Sequence, residues 1–343
     1  MLIEIEDLRR WACDAFVAVG LSLRDAETTV DNLVFAERRG VRTHGFLRLP
    51  IYVERILGGG IDPHAVTRLD RDFGALAILD AGNGIGAVSG TDATRLVIER
   101  AKQFGIGCAI VSRANHFGAA AYYANLIADA GLFGIAVCNT DKAMGPPFGG
   151  RRVLGTNPLA IAVPLPADER PQLDMATSEA SFGKVLLAVQ DKHDIPPGWA
   201  VDSQGRPTTS AADAVEGALL PTGGPKGFGL AFMIDALVAL SGATVSPEAK
   251  PMYGDRSQPQ ELGLAFIAIR ADVAVSPDDY ATAIRGLVSA VHASGPGPTG
   301  AAALAPGEPE LAMQAKAPSE LEVSGDLLDD LRRIATLTSV DLP

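Results

Sequence analysis

The stretch "ALAILDAGNGIGAVSGTDATRLVIERAKQF", residues 75 to 104, is compatible with two different sheet arrangements. An apolar run of strand type, a glycine turn and a helix-periodic segment from Gly86 to Phe104 follow one another, as in the first half of a βαβ unit. Gly82, Gly84 and Ala87 match G-x-G-x-x-A, the looser form of the dinucleotide fingerprint. A Rossmann domain also needs an acidic residue roughly 20 residues on, at the tip of the next strand, to hold a ribose hydroxyl. That tip reads "VSRAN", residues 111 to 115, and has none. A tight glycine turn between strand and helix explains the stretch equally well, so the motif alone leaves both arrangements open.

Outward from this unit the alternation continues. A helix near Gly118 to Gly131 precedes "FGIAVCNT" (133–140); turn-rich sequence then leads to the apolar runs "LAIAVPLP" (159–166) and "QLDMAT" (172–177) and a helix from Ser181. A polar connection over 191–221 is followed by the apolar helix of "GGPKGFGLAFMIDALVALSGA" (223–243), and "LGLAFIAI" (262–269) is a buried strand. Ser276, with Asp278 and Asp279 behind it, starts a helix, and 294–309 is loop by composition. The first 57 residues are helical: Ser22 caps a segment carrying Asp25 and Glu27 that stops at Gly40, and a further helix bearing His44 ends at Gly58–Gly60. Strands alternating with helices predict an α/β protein.

The 343 residues, 47% apolar and 20% charged, form a globular chain large enough for more than one subdomain. A formal charge of −12 disfavours nucleic acid and anionic membrane as partners. Cys13, Cys108 and Cys138 lie in apolar runs without CxxC spacing, as thiols of a reducing compartment do. With no leader-like start and no bilayer-length apolar segment, a soluble cytoplasmic protein is expected.

Within "GVRTHGFLRLPIYVERILGGG" (40–60), His44, Arg48 and Tyr52 recur at i, i+4 and i+8, so a continuous helix aligns them on one face. His116, after Asn115, ends a buried strand and opens a helix, where α/β layers present polar groups. Histidine pairs also bind metals, but no H-x-x-x-H, H-E-x-x-H or cysteine ligand spacing occurs, so no metal is expected. A G-x-S-x-G elbow is missing too, which leaves acid/base chemistry by histidine. Arg48 is a donor fork suited to a carboxylate; its structural alternative is a salt bridge to Glu54 or Asp62.

Six ordered blocks then coincide with a known family: "THGFLRLPIYVERI" (43–56), "NHFGAAAYYA" (115–124), "GPPFGGRRVLGTNPLAIAVP" (145–164), "DMATSEASFGKV" (174–185), "GALLPTGGPKGFGLAFMIDAL" (217–237) and "APGEPE" (305–310). Together they resemble the type 2 malate/L-lactate dehydrogenase family, with its sulfolactate and ureidoglycolate dehydrogenases, diketogulonate reductase and cyclic imino-acid reductases. The resemblance implies NAD or NADP held on a mixed, largely antiparallel, non-Rossmann sheet. It implies a helical N-terminal region (1–72), a sheet domain (73–275) and a C-terminal helical segment (276–343) packed on the N-terminal region. It implies a homodimer with the active site near the subunit interface, and a small carboxylate substrate.

By motif, His44 and His116 become the acid/base candidates and Arg48 the carboxylate clamp. Thr43, Thr140, Asp174, Met175, Ala176, Thr177, Lys226, Gly227, Pro306, Gly307 and Glu308 become cofactor contacts. The reaction implied is reversible hydride transfer between nicotinamide and C2 of a 2-hydroxy or 2-oxo acid, with a histidine working near its ordinary pKa of about 6.5. The alternatives are reduction of cyclic imino acids such as piperideine or pyrroline carboxylate, and a non-catalytic ligand-binding member of the fold. Thr43 stands where the family usually has Ser, Pro225 where it often has His, "NTDKAM" (139–144) carries an Asp-Lys pair, and "LGLAFIAIR" replaces a common "GHFF" strand.

Overall fold

The computed structural model describes residues 1–298, 300–323 and 325–343. Strand β1 (Leu2–Glu4) leads into α1 (Ile5–Ala18) and α2 (Leu23–Arg38), and two 3-10 turns, Arg42–His44 and Phe46–Arg48, precede α3 (Leu49–Leu57). Then come β2 (Arg68–Asp72), β3 (Leu76–Asp80), α4 (Gly86–Phe104), β4 (Ile106–Ala114), α5 (Ala120–Asp129) and β5 (Leu132–Cys138). Next are β6 (Leu159–Ala162), β7 (Gln172–Met175) and α6 (Phe182–Gln190), and a small sheet of β8 (Ala200–Val201), β9 (Pro207–Thr208) and β10 (Ala218–Leu219) around α7 (Ala211–Glu216). The chain continues through α8 (Pro225–Val238), β11 (Leu262–Arg270), α9 (Pro277–Ala293), α10 (Glu308–Ala315), β12 (Glu320–Glu322) and α11 (Gly325–Thr338).

The main sheet has the order β2-β3-β4-β11-β5-β6-β7. Only β3 and β4, joined through α4, run parallel; the other neighbouring pairs are antiparallel. This is the mixed, largely antiparallel sheet expected from the resemblance, and the Rossmann alternative falls. The central strand β11 is apolar from Leu262 to Ile269 because both of its faces are covered. Leu264, Phe266 and Ala268 pack with Val97 of α4 and Ile127 of α5, while Ala265 packs with Ile234 and Val238 of α8.

Local capping sets the helix starts. The Ser22 side chain accepts from the Asp25 N–H, and Ser276 accepts from Asp279. The segment around His44 corrects the sequence-based expectation: no continuous helix carries the His44, Arg48 and Tyr52 stripe. Gly45, at φ −87° and ψ −144°, breaks the chain between the two turns, and α3 begins only at Leu49 with Pro50 in its first turn. Glu37 explains the break: its carboxylate accepts from the Phe46 N–H, and a Cβ on residue 45 would lie 2.1 Å from its Oε2.

β1 pairs with β12, and Leu8, Phe16 and Leu49 share a core with Leu331 and Ile334 of α11. Strand β2, which ends at residue 72, is an edge of the main sheet. No helix among the described residues is long and apolar enough to cross a membrane.

Candidate active site

The glycine turn braces a loop. The Asn115 side-chain amide donates to the Asn83 carbonyl at 3.1 Å, to Asn83 Oδ1 at 2.9 Å and to the Gly84 carbonyl at 3.0 Å. Gly82 is left-handed at φ +60°, and a Cβ on Gly86 would lie 2.1 Å from the Asn115 carbonyl oxygen. The glycines therefore let the start of α4 approach the β4–α5 loop that carries His116.

Other elements fix that loop from further sides. The His116 N–H donates to Gln260 Oε1 at 3.0 Å. Asn32 of α2 accepts the Ala119 N–H at 3.0 Å and donates to the Phe117 carbonyl at 3.2 Å. On the ring itself, Nδ1 meets the Tyr52 hydroxyl at 2.7 Å and the Gly118 N–H at 3.3 Å. The His44 ring stacks beside it, centroids 5.7 Å apart, with its Nδ1 3.1 Å from Thr43 Oγ1. The residues of the expected stripe thus converge on His116 from two turns and a helix.

Arg48 is 7% exposed, and its Nε has no hydrogen-bond partner. The structural alternative for it does not occur: Glu54 pairs with Arg256 and Arg333, and Asp62 accepts from the His64 N–H. Its guanidinium lies 5.5 Å from the Tyr253 ring centre. The buried charge sets the electrostatics. Burial first, then Arg48, pushes His44 down to about 3. Burial, Arg48 and His44 hold His116 well below its ordinary value. Both rings are therefore neutral near pH 7, which corrects the expectation of a histidine near 6.5. Burial pushes the Tyr52 phenol up.

A cleft of about 940 Å³ opens on this cluster, within the upper size range of ligand sites. Thr43, His44, His116, Thr140, Asp174, Met175, Ala176, Pro306 and Gly307 line it. Of the remaining predicted residues, Thr177 gives its N–H and hydroxyl to the carbonyl of cleft-lining Thr156, at 2.9 Å each. Gly227 donates to the carbonyl of cleft-lining Thr222, and Lys226 is exposed beside it. Glu308 turns away: its carboxylate accepts the Ala305 N–H and meets His292 Nε2, both at 2.8 Å. The Asp174 carboxylate is open to the cleft but enclosed by its walls, and burial raises it to about 6 although it accepts the Ala121 N–H.

Two features escaped the sequence. Arg39 lines the cleft over the Phe35 ring, donates to Gln172 at 2.6 Å and leaves its Nε unpartnered. Asp235 of α8 accepts from the Asn139 and Asn157 side chains and the Ser246 N–H, each at 2.9 Å. Asn157 in turn takes the Thr140 N–H at 3.0 Å, so Asp235 sets the threonine wall of the cleft from behind. Only their polarity inside apolar or glycine-flanked segments, "FMIDAL" and "ERRG", hinted at either.

A family model described as malate/L-lactate dehydrogenase matches residues 3–332. An L-sulfolactate dehydrogenase of Methanocaldococcus jannaschii is 36% identical over 338 residues, covering 97% of this chain and 96% of the relative. The solved sulfolactate dehydrogenase of that organism superposes with a TM-score of 0.92 at 35% identity, covering 100% of this chain and 98% of the other. A ureidoglycolate dehydrogenase (NAD(+)) of Escherichia coli K12 is 36% identical over 330 residues, 95% of this chain and 94% of the relative. The structure of a delta1-piperideine-2-carboxylate reductase from Pseudomonas syringae matches with a TM-score of 0.86 at 27% identity, over 98% of this chain and 99% of that one.

Proposed function

The chain belongs to the malate/L-lactate dehydrogenase family, and on that premise we propose that it is an NAD(P)-dependent oxidoreductase interconverting a small 2-hydroxy acid and its 2-oxo acid. Arg48 carries this reading: a buried guanidinium among the described residues without an ion partner, beside two histidines that line a cleft. Burying an unpaired charge costs several kcal/mol, and the carboxylate of a ligand offsets that cost.

The cleft suits the cofactor. Its volume admits a dinucleotide beside a small acid. Gly307, left-handed at φ +91° with no room for a Cβ against Gln172, puts bare backbone in its wall. Thr43, Thr140, Asp174, Met175, Ala176, Thr177, Lys226, Gly227, Pro306 and Gly307 are the contacts proposed for it, and Glu308, paired with His292 and the Ala305 amide, holds the turn beside them. Once bound, the nicotinamide supplies or takes up the hydrogen and electron pair at C2. Arg48 grips the substrate carboxylate in two parallel hydrogen bonds, and the paired histidines give or take the proton on oxygen.

The test is nicotinamide absorbance with a panel of 2-oxo acids and cyclic imines, each with NADH and NADPH. Turnover of an oxo acid supports the reading; a panel without turnover sinks it in favour of the ligand-binding alternative, against which the intact histidine pair and Arg48 speak. The likeness to a piperideine carboxylate reductase favours cyclic imino acids as a second reading, and turnover of imines alone would establish it. We place the protein in the cytoplasm as a homodimer. The dimer reading rests on α8, which exposes Leu230, Phe232 and Met233, and on α9, which buries none of its residues within one chain.

A further inference from the structure

We propose that the site takes 2-oxo and 2-hydroxy acids with a single anionic group, and that Asp141 is the residue that turns away acids with a second one. The proposal rests on the reading that the cleft takes such acids, and it names their class.

Three elements meet at Arg48. The loop before β11 brings Tyr253, whose ring centre lies 5.5 Å from the guanidinium. Helix α6 brings Gly183, where a Cβ would lie 3.0 Å from Arg48 Nη2 and 3.3 Å from Thr43 Cβ. The loop after β5 brings Asp141, next to cleft-lining Thr140, whose hydroxyl donates to the Asp141 carbonyl at 3.3 Å. The Asp141 carboxylate accepts the Met252 N–H, which ties it to the residue beside Tyr253. Its position in "NTDKAM" is thus at the wall around the clamp.

Among the described residues Asp141 is the carboxylate whose charge bears on Arg48, and no ion pair joins the two. Burial pushes the Asp141 carboxyl up, while its own amide, the Met252 amide, Arg152 and Arg55 favour the ionised form. Neither of those arginines is open to a ligand. Arg55, 1% exposed, donates to the Met252 and Gln258 carbonyls at 3.2 and 2.5 Å. Arg152 donates to the Gly217 and Val215 carbonyls and lies 5.2 Å from the Phe182 ring centre. Of the cations lining the cleft nearby, Arg42 is paired with Glu37, and Lys184 is exposed, where water and salt screen it.

One buried cation with uncommitted donors therefore matches one carboxylate. A second carboxylate or sulfonate, carried on C3, finds the remaining guanidiniums committed to backbone carbonyls. It meets Asp141 in a partly buried setting, where like charges repel far more strongly than in water. A methyl, hydroxyl or amide end group carries no such penalty, and a hydroxyl or amide has a hydrogen to offer the carboxylate.

The test compares oxaloacetate with its C4 amide, 2-oxosuccinamate, which has nearly the same shape and one negative charge fewer. Wild type should prefer the amide in kcat/KM by about 10-fold or more, and Asp141→Asn should narrow that ratio by about 10- to 100-fold through a gain on oxaloacetate. Asp141→Ser replaces that variant should it fail to fold. Asp141→Glu keeps the charge and should keep the preference, whereas a merely structural Asp141 would leave the ratio unmoved in every variant. Wild type that takes oxaloacetate as readily as the amide overturns the proposal, and so does an unchanged ratio in the uncharged variants. Loss of oxaloacetate turnover alone in Lys184→Ala would make Lys184 a second clamp and overturn it too. If the pair binds without turnover, its inhibition of pyruvate reduction supplies the ratio. If no 2-oxo acid turns over at all, the functional reading ends, and the rise in Tm that each of the pair gives the NADH-bound protein still decides the charge preference.

Discussion

At the scale of single residues, Arg48 sets function against stability. Its guanidinium is buried, and no ion partner for it occurs among the described residues, so Arg48→Met should raise Tm while removing activity, the opposite of what a structural salt-bridge residue does. Arg48→Lys keeps the charge but not the two parallel hydrogen bonds, and should lower kcat/KM by about 10- to 150-fold. On an amide analogue of the substrate the same variant should lose little more than wild type; equal penalties on acid and amide would remove Arg48 from the site. The histidines set the pH dependence. With His44 depressed to about 3, a neutral base is present at every pH above that value. For oxidation of the hydroxy acid, kcat/KM should accordingly hold steady as pH falls from 8 through 6.5 to 5, where an unperturbed histidine would cost most of the rate. Reduction takes up a proton through the histidine pair and should slow as pH rises.

At the scale of elements, the glycine turn at 82–86 serves the site as a brace. Gly86→Ala should lower both Tm and kcat, because its Cβ would meet the Asn115 and His116 carbonyl oxygens at 2.1 and 2.5 Å. Gly82→Ala should cost roughly 1–2 kcal/mol of stability through its left-handed backbone, with kcat near wild type. Fluorescence titration of NADH should find both variants within a few-fold of wild type; lost affinity in a folded variant would restore a cofactor role to the turn. Capping and periodicity made α2, α4 and α9 legible in the sequence because those signals are local. Residue chemistry likewise singled out His44, Arg48 and His116. The broken helix was not legible, since i, i+4 spacing describes a continuous helix as well as two turns, and what splits them is the Glu37 carboxylate on the Phe46 amide. Nor were the braces from Asn32 and Gln260, which reach the His116 loop from far along the chain. The Rossmann fingerprint stayed ambiguous by itself for a related reason: its glycines report close backbone approach, whatever the approaching group is.

At the scale of the whole molecule, the exposed apolar side chains of α8 and the unburied helix α9 predict a particle of twice 35.6 kDa by light scattering. Phe232→Glu should shift it toward the monomer, and an active wild-type monomer at micromolar concentration would contradict the dimer. The strand order carries a further consequence, for synthesis. Strands β4 and β5 are complete by residue 138, yet the strand between them, β11, begins only at residue 262. During translation the chain therefore holds two half-sheets whose inner edges have no partner, a state prone to edge-to-edge pairing with other chains. A chain stopped at residue 255 should aggregate, although it already contains His44, Arg48 and His116, because the strand that joins the halves and the Gln260 that steadies His116 are both still to come. Emergence of β11 from the ribosome is thus the event that turns a vulnerable nascent chain into an enzyme, and folding is postponed until most of the polypeptide has been made.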